Sequence, residues 1–197
     1  DYPIRWRCNV FARLVKKETI NLMKRAGCQH VTMGVESGDP HMLTLIKKGE
    51  TLDHYRDAVD IIKQEKLPLL TSWIIGMPGE TPELAKQTIQ NAIDLDPDTA
   101  QFAIAAPYPG TQLYKEIKQG KWGKLLTEDL KNYTGAEVTW LPFGYSSPEE
   151  LKKMYHYAFR RFYLRPKYIF KKILKIRNFE DIKKYFLGAK ALIKGYI

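Results

Sequence analysis

The chain has 197 residues, of which 44% are hydrophobic and 12% aromatic, and its formal net charge is +10. This is enough for one packed domain and fewer than the roughly 250 residues of a complete eight-stranded α/β barrel. No run of 18 apolar residues predicts a transmembrane helix. Two cysteines are too few for a secreted disulfide framework, so we expect a cytoplasmic protein.

Apolar runs alternate with helical patterns through the first 120 residues. Strands are predicted over 4–10, 31–35, 67–75 and 99–106, with helical segments between them and no hairpin signal. Strands joined by helices predict a parallel sheet of right-handed βαβ units. The last three are short, continuous apolar runs, which are typical of strands buried on both faces, whereas residues 4–10 alternate apolar and polar residues.

The pattern changes after Gly120. Residues 121–147 are polar and aromatic and are predicted to form an irregular connection. Residues 148–197 then hold 14 lysines and arginines against 4 acids, whereas residues 1–147 hold 18 of each. The whole net charge therefore lies in a basic, helical C-terminal extension that is predicted to begin at Pro148.

Three interpretations of this basic extension remain open. Its helices could cover the sheet with a solvated basic face, which is the default. They could contact an anionic membrane peripherally, because aromatic and apolar residues are interleaved with the lysines. They could bind nucleic acid, a partner that we do not expect.

Glycine, proline or acid follows three of the predicted strands. In a parallel sheet these strand ends meet at one rim, where α/β proteins build their sites. The candidate site residues on this rim are Gly34, Glu36 and Ser37, then Gly76, Pro78, Gly79 and Glu80, and then Ala105 and Tyr108 in the segment ending at Gly110.

Each candidate also has an ordinary structural interpretation. Glu36 could accept hydrogen bonds from ligand hydroxyls or an ammonium group, or could simply pair with a nearby cation. Glu80 could be part of normal helix initiation before Thr81-Pro82. Tyr108 could stack on a ring or only stiffen a turn. Arg13, after the first strand, could bind a ligand carboxylate or be a surface cation.

No metal site is predicted. The four histidines lack ligand spacing, and Cys8 and Cys28 are too far apart to hold zinc or an iron–sulfur cluster by themselves. A hydrolase using Glu36 and Glu80 as paired carboxylates is an alternative that would need a suitable separation of the two side chains.

Four segments taken together resemble the radical S-adenosylmethionine (SAM) enzymes. They are 23–28 (MKRAGC), 34–38 (GVESG), 47–51 (KKGET) and 76–81 (GMPGET). The branch they resemble is the one with a cobalamin-binding domain, which includes the anaerobic magnesium-protoporphyrin cyclases. The resemblance covers about residues 4–115.

The resemblance implies a fold and a set of roles. The fold would be the C-terminal part of a partial (β/α) barrel over 1–120, with about four parallel strands. Glu36, with Ser37 beside it and Gly34 before it, would contact SAM. The turn Gly76–Glu80 would shape the adenosyl pocket, and residues from Ala105 to Tyr108 would touch adenine or substrate. Arg13 would lie near the same rim.

The family's chemistry is reductive cleavage of SAM by a [4Fe–4S] cluster, giving a radical that abstracts hydrogen. The resemblance thus implies SAM, the cluster and cobalamin as cofactors and a small molecule as substrate. The Cys-x-x-x-Cys-x-x-Cys loop that binds the cluster does not occur in these residues. We therefore expect the chain to be the C-terminal portion of such an enzyme, missing its N-terminal part and inactive alone. A non-catalytic α/β module that docks through its basic tail is the alternative.

Overall fold

A computed structural model describes residues 4–196 and, within the last helix, all side chains except those of residues 184, 189, 191–194 and 196. Residues 1–3 and 197, which the domain prediction includes, lie outside the described residues. The main sheet has four strands, which are β1 (Trp6–Val10), β2 (Cys28–Glu36), β3 (Leu69–Ile75) and β4 (Thr99–Ile104).

Helices follow each of these strands. In chain order they are α1 (Lys17–Arg25), α2 (Pro40–Leu45), α3 (Leu52–Gln64), α4 (Pro82–Leu95) and α5 (Gln112–Lys118), followed by α6 (Pro148–Tyr163), α7 (Pro166–Ile173) and α8 (Phe179–Tyr196). Asp39 and Thr81 cap α2 and α4, each accepting a hydrogen bond from a backbone N–H of the first turn. Both helices carry proline in that turn, as the sequence predicts.

The four strands are all parallel and adjacent in chain order, β1-β2-β3-β4. This confirms the predicted α/β sheet with helical crossovers. Sequential order is the arrangement of a (β/α) barrel, in which each βα unit is added beside the last.

The helices cover one face of the sheet fully, and the other face is only partly covered, with Ile74 of β3 packed against a second buried cluster that includes Met77 and Trp140. The prediction that the last three strands are fully buried on both faces is therefore wrong. Val31, Met33 and Val35 of β2 are fully buried against the helices, whereas Thr32, Gly34 and Glu36 between them are only partly buried. The same alternation runs along β1, β3 and β4. We call the less buried side the open face. Branched residues on the covered face make the run apolar enough to hide this alternation.

Residues 121–147 are more regular than the predicted connection. They contain an antiparallel pair, β5 (Gly123–Leu125) and β6 (Trp140–Pro142), and a short 3-10 helix over Leu130–Asn132. Close approach of the two strands requires glycine at 123, because a Cβ there would lie 2.1 Å from the Leu141 carbonyl oxygen. A three-residue strand is too short for its alternation to be visible in sequence.

The predicted basic extension has two parts that differ in packing. Helix α6 begins at Pro148, with Ser147 as its N-cap, and packs into the main core through Leu151, Phe159 and Phe162. The Phe102 ring of β4 meets the rings of both phenylalanines edge-on. By contrast, α7 contributes no fully buried residue. In the described part of the chain, no helix has the length and apolarity needed to cross a bilayer.

We expect Phe162→Ala to lower the free energy of unfolding by about 3–5 kcal/mol, because it empties a fully buried site. Phe170→Ala in α7 is the matched control. It removes an exposed ring and should change stability by no more than about 0.5 kcal/mol. Urea unfolding followed by tryptophan fluorescence measures both values. Equal effects of the two substitutions would contradict the assignment of α6 to the core.

Candidate functional site

The candidate residues meet where the parallel strands end. Strand β2 ends at Glu36, which has a φ of 70°, in the left-handed region that favours glycine. The register against β3 shifts between Gly34 and Glu36, so the strand bulges at Val35. Gly34 and Glu36 are two residues apart, so strand alternation places the Glu36 side chain on the same open face as Gly34.

Lys48, in the loop after α2, holds the Glu36 carboxylate. Its Nζ lies 3.2 Å from Glu36 Oε1, and both side chains keep about a fifth of their surface exposed, 17% and 21%. Gly34 makes room for this pair, because a Cβ at that position would lie 2.4 Å from Glu36 Oε1. The partly exposed carboxylate remains available to a ligand that offers better donors than one lysine.

Glu50 is a buried carboxylate on the other side of Lys48 from Glu36, and these three residues form one network. Its side chain is 1% exposed, and its Oε2 lies 4.0 Å from Lys48 Nζ and accepts a hydrogen bond from the Tyr55 hydroxyl. Its Oε1 accepts a hydrogen bond from the backbone N–H of Arg13 at 3.2 Å. Burial and the nearby Glu50 charge raise the pKa of Tyr55, which keeps it a hydrogen-bond donor. Glu50 thus joins the loop after β1 to the end of β2.

Sequence reasoning missed Lys48 and Glu50 as site residues. Both fall in the segment 47–51 that carries the family resemblance, but neither adjoins a strand. The contact of Arg13 with this network comes from its backbone, and its side chain is exposed. The structure therefore brings the Arg13 loop to the site without placing the guanidinium there.

Ser37 lies away from the open face. It is fully buried, its hydroxyl is 3.2 Å from that of Thr88 in α4, and it accepts a hydrogen bond from the Asp39 backbone. These contacts fasten the end of β2 to α4 and α2. The position suits a residue that shapes the loop carrying Glu36 better than one that touches a ligand.

The segment Gly76–Glu80 folds into a tight turn closed by its own carboxylate. Glu80 has no exposed surface, and its Oε2 accepts hydrogen bonds from the Gly76 N–H and, at 3.0 Å, from the Tyr145 hydroxyl. Gly76 and Gly79 both have a φ of 77°, a conformation that glycine adopts freely. Pro78 is partly buried and Gly79 is exposed, so this part of the turn faces outward.

Burial raises the pKa of Glu80 to about 7, even though the Gly76 N–H and the Tyr145 hydroxyl favour its ionised form. The other carboxylate oxygen, Oε1, is buried and has no hydrogen-bond partner among the described residues. Burial and the nearby Glu80 carboxylate raise the pKa of Tyr145. Glu80 and Glu36 therefore have separate partners and very different exposure, and they do not supply the accessible acid–base pair that a hydrolase needs.

The third rim segment is held by two aromatic contacts. The Ala105 carbonyl accepts a hydrogen bond from the Trp140 indole N–H at 2.9 Å, and its N–H donates to the Ile75 carbonyl at 2.8 Å. Tyr108 is half exposed, and its hydroxyl donates to the Tyr133 carbonyl at 3.0 Å. One face of the Tyr108 ring is thus fixed against Tyr133, 5.3 Å away between ring centres.

The open face itself is largely polar. Asn9 pairs with Thr32 across β1 and β2, Gly34 with Ser72, and Ser72 with Gln101 on β4. Asn9 and Gln101 are exposed, and the others are partly buried. Short polar side chains beneath the Glu36 end of the sheet leave hydrogen-bonding groups available to a bound polar molecule.

Neither cysteine lies on the open face. Cys8 is half-buried and Cys28 buried, and both are free thiols. Within residues 4–196, no group of three or more histidine, cysteine and acidic side chains could hold a metal ion.

Comparison with known proteins agrees with this architecture. Residues 1–92 match the model of the Radical SAM superfamily. In fold, the chain is similar to the solved structure of TsrM, a radical SAM methyltransferase from Kitasatospora setae with cobalamin and a [4Fe–4S] cluster bound. That similarity has a TM-score of 0.53 and 24% identity over 75% of this chain and 30% of the other.

Two curated proteins are similar to this chain in sequence. An uncharacterized methyltransferase from Pyrococcus horikoshii is 36% identical over 176 residues, which are 89% of this chain and 38% of the relative. An anaerobic magnesium-protoporphyrin IX monomethyl ester cyclase from Rubrivivax gelatinosus is 25% identical over 99% of this chain and 34% of its own length. These matches confirm the resemblance to radical SAM enzymes, and the chain spans about a third of the length of the two curated relatives.

Glu80→Gln should remove an unusual pH dependence of the free energy of unfolding. The folded protein holds the Glu80 proton up to a pH of about 7, whereas an ordinary glutamate loses it near 4.5. Folding therefore stabilises the protonated form, and this stabilisation is lost as the pH rises between these values. We expect the wild-type free energy of unfolding to fall by about 3 kcal/mol over that range relative to Glu80→Gln. Parallel urea-unfolding profiles would contradict a protonated, buried Glu80.

Proposed function

We propose that this chain forms one wall of the SAM site of a radical SAM enzyme that carries out methyl transfer or ring closure on a small molecule. The observation that carries the proposal is the Glu36 carboxylate, held partly exposed beside Gly34 by Lys48 at the end of β2. The match of residues 1–92 to the superfamily supports it. The reaction types are those in the names of the two curated relatives, which are a methyltransferase and a cyclase.

The chemistry of the rim suits the groups that SAM carries. A carboxylate accepts hydrogen bonds from ribose hydroxyls and pairs with an ammonium group, which Glu36 is free to do on its open-face side. The exposed backbone around Gly79 and the half-exposed Tyr108 ring suit a flat adenine base. Bound SAM would supply the methyl or radical chemistry of the family, and these side chains would hold it in place.

The residues of this chain do not fit a [4Fe–4S] cluster. Such a cluster needs cysteine ligands, and the two cysteines here lie on β1 and β2, away from the open face. We therefore assign the cluster, and with it the cobalamin that the family resemblance implies, to other parts of a longer protein. That assignment agrees with its coverage of about a third of its curated relatives.

Glu36→Gln should weaken SAM binding about tenfold, because an amide keeps the shape of the carboxylate but loses its charge-assisted hydrogen bonds. Equilibrium dialysis of radiolabelled SAM against the longer parent protein, which supplies the rest of the site, measures the dissociation constant. Asp60→Asn, an exposed change of equal charge in α3, is the control and should leave binding unchanged. Absent saturable binding by the wild type, or equal binding by Glu36→Gln, would contradict the proposal.

Gly34→Ala should lower the affinity for SAM without lowering the melting temperature. The new methyl group displaces the flexible end of Glu36 and approaches Lys48 Nζ to 3.2 Å, and the three atoms nearest to it all belong to these two side chains. We expect a loss of SAM affinity similar to that of Glu36→Gln with a melting temperature close to wild type. A large fall in melting temperature with unchanged affinity would show that Gly34 serves only the fold.

A further inference from the structure

Helix α7 is docked on the protein through its polar side. Lys171 pairs with Asp96, and Lys175 Nζ lies 2.8 Å from Asp98 Oδ1. The Tyr168 hydroxyl donates to the Asp98 carbonyl at 3.3 Å. Burial raises the pKa of Asp96, but Lys171 and Lys167 outweigh this effect and hold it below the usual range. The acidic turn before β4 thus binds the lysine face of α7.

The apolar side of α7 points away from the protein. Ile169, Phe170, Ile173 and Leu174 form this surface, which we call the outer α7 face, and they are 43% to 67% exposed. At 100° per residue they occupy one side of the helix, opposite Tyr168 and Lys171. Phe179, Ile182 and Phe186 add exposed apolar surface at the start of α8. An amphipathic helix with its apolar side outward indicates a contact surface.

The charge of this part of the chain favours an anionic partner. No acid lies between Glu150 and Glu180, and that stretch carries ten lysines and arginines, of which five pair with Asp96, Asp98 or Glu137. Lys167, at the edge of the face, is 69% exposed even though it pairs with Asp96. A symmetric contact with a second copy would bring these like charges together, which opposes association. An apolar strip with phenylalanine, bordered by cations, fits an anionic lipid surface.

We propose that the outer α7 face is a docking site for an anionic phospholipid bilayer. Its four apolar side chains enter the boundary between head groups and acyl chains, and Lys167 at the edge of the face contacts lipid phosphates. The helix lies on the membrane surface, in agreement with the lack of a membrane-spanning helix among the described residues. The proposal concerns where the protein is held and is independent of what its rim binds.

Vesicle co-sedimentation of the 197-residue chain tests the proposal. We expect binding to vesicles of phosphatidylcholine containing about one third phosphatidylglycerol, and little binding to phosphatidylcholine alone. Raising the ionic strength from about 0.1 M to about 1 M should weaken this binding, because the Debye length shortens about threefold. Equal binding to both kinds of vesicle, or no binding to either, would overturn the proposal.

Two double variants locate the contact. Phe170→Ser with Leu174→Ser should reduce the partition coefficient by about tenfold or more, because it removes two of the inserted side chains. Leu22→Ser with Leu130→Ser is the control, since these leucines are as exposed but lie on α1 and the loop after β5. All four positions are exposed, so both variants should keep the wild-type circular dichroism spectrum and melting temperature.

Two outcomes would contradict membrane docking by the outer α7 face. Unchanged vesicle binding by Phe170→Ser with Leu174→Ser, or an equal loss in the control, would show that the outer α7 face is not the contact. Concentration-dependent self-association that this variant abolishes, with no vesicle binding by the wild type, would make the face an interface between copies. Either result would overturn membrane docking and leave the SAM-site proposal untouched.

Discussion

The Glu80 carboxylate is the interaction on which the rest of the structure depends. It joins three segments that are distant in sequence: the end of β3 through the Gly76 N–H, the start of α4 through its own backbone, and the entry to α6 through Tyr145. Close packing accompanies the bond, since a Cβ at Gly144 would lie 2.0 Å from the Glu80 carbonyl oxygen. A buried carboxyl with three such neighbours sets how the rim turn and the covering helix meet the sheet.

The two glutamates of the rim show how burial separates structural from functional roles. Glu80 is closed off, and its environment holds the proton, so it stabilises a turn and reaches no ligand. Glu36 lies at a bulge, in a left-handed conformation, with one lysine partner and one side open. Backbone strain at a residue such as Glu36 persists only where the surroundings enforce it, here through Lys48 and the buried Glu50 beside it.

Much of the fold was predictable because it follows from local chemistry. The caps at Asp39 and Thr81 and the apolar runs of β2 and β3 are each visible in a few adjacent residues, and so are the rim positions of Glu36 and Gly76. What could not be predicted depends on contacts between distant residues. The buried Glu80 carboxylate is held by a hydrogen bond from Tyr145, which lies 65 residues later in the chain. Glu50 likewise accepts a hydrogen bond from the backbone of Arg13, which lies 37 residues earlier. The open face was missed because apolar residues of the covered face dominate each run.

The docking of α7 also places the outer α7 face and the candidate site at opposite ends of the sheet. Asp96 and Asp98, which bind the helix, precede β4 and so lie at the amino end of the parallel sheet, whereas Glu36 and the Gly76–Glu80 turn lie at its carboxyl end. A protein held by the outer α7 face would therefore be anchored at the end opposite its candidate site. Its reactants would arrive from the aqueous side, and the surface would concentrate the protein without covering the entrance.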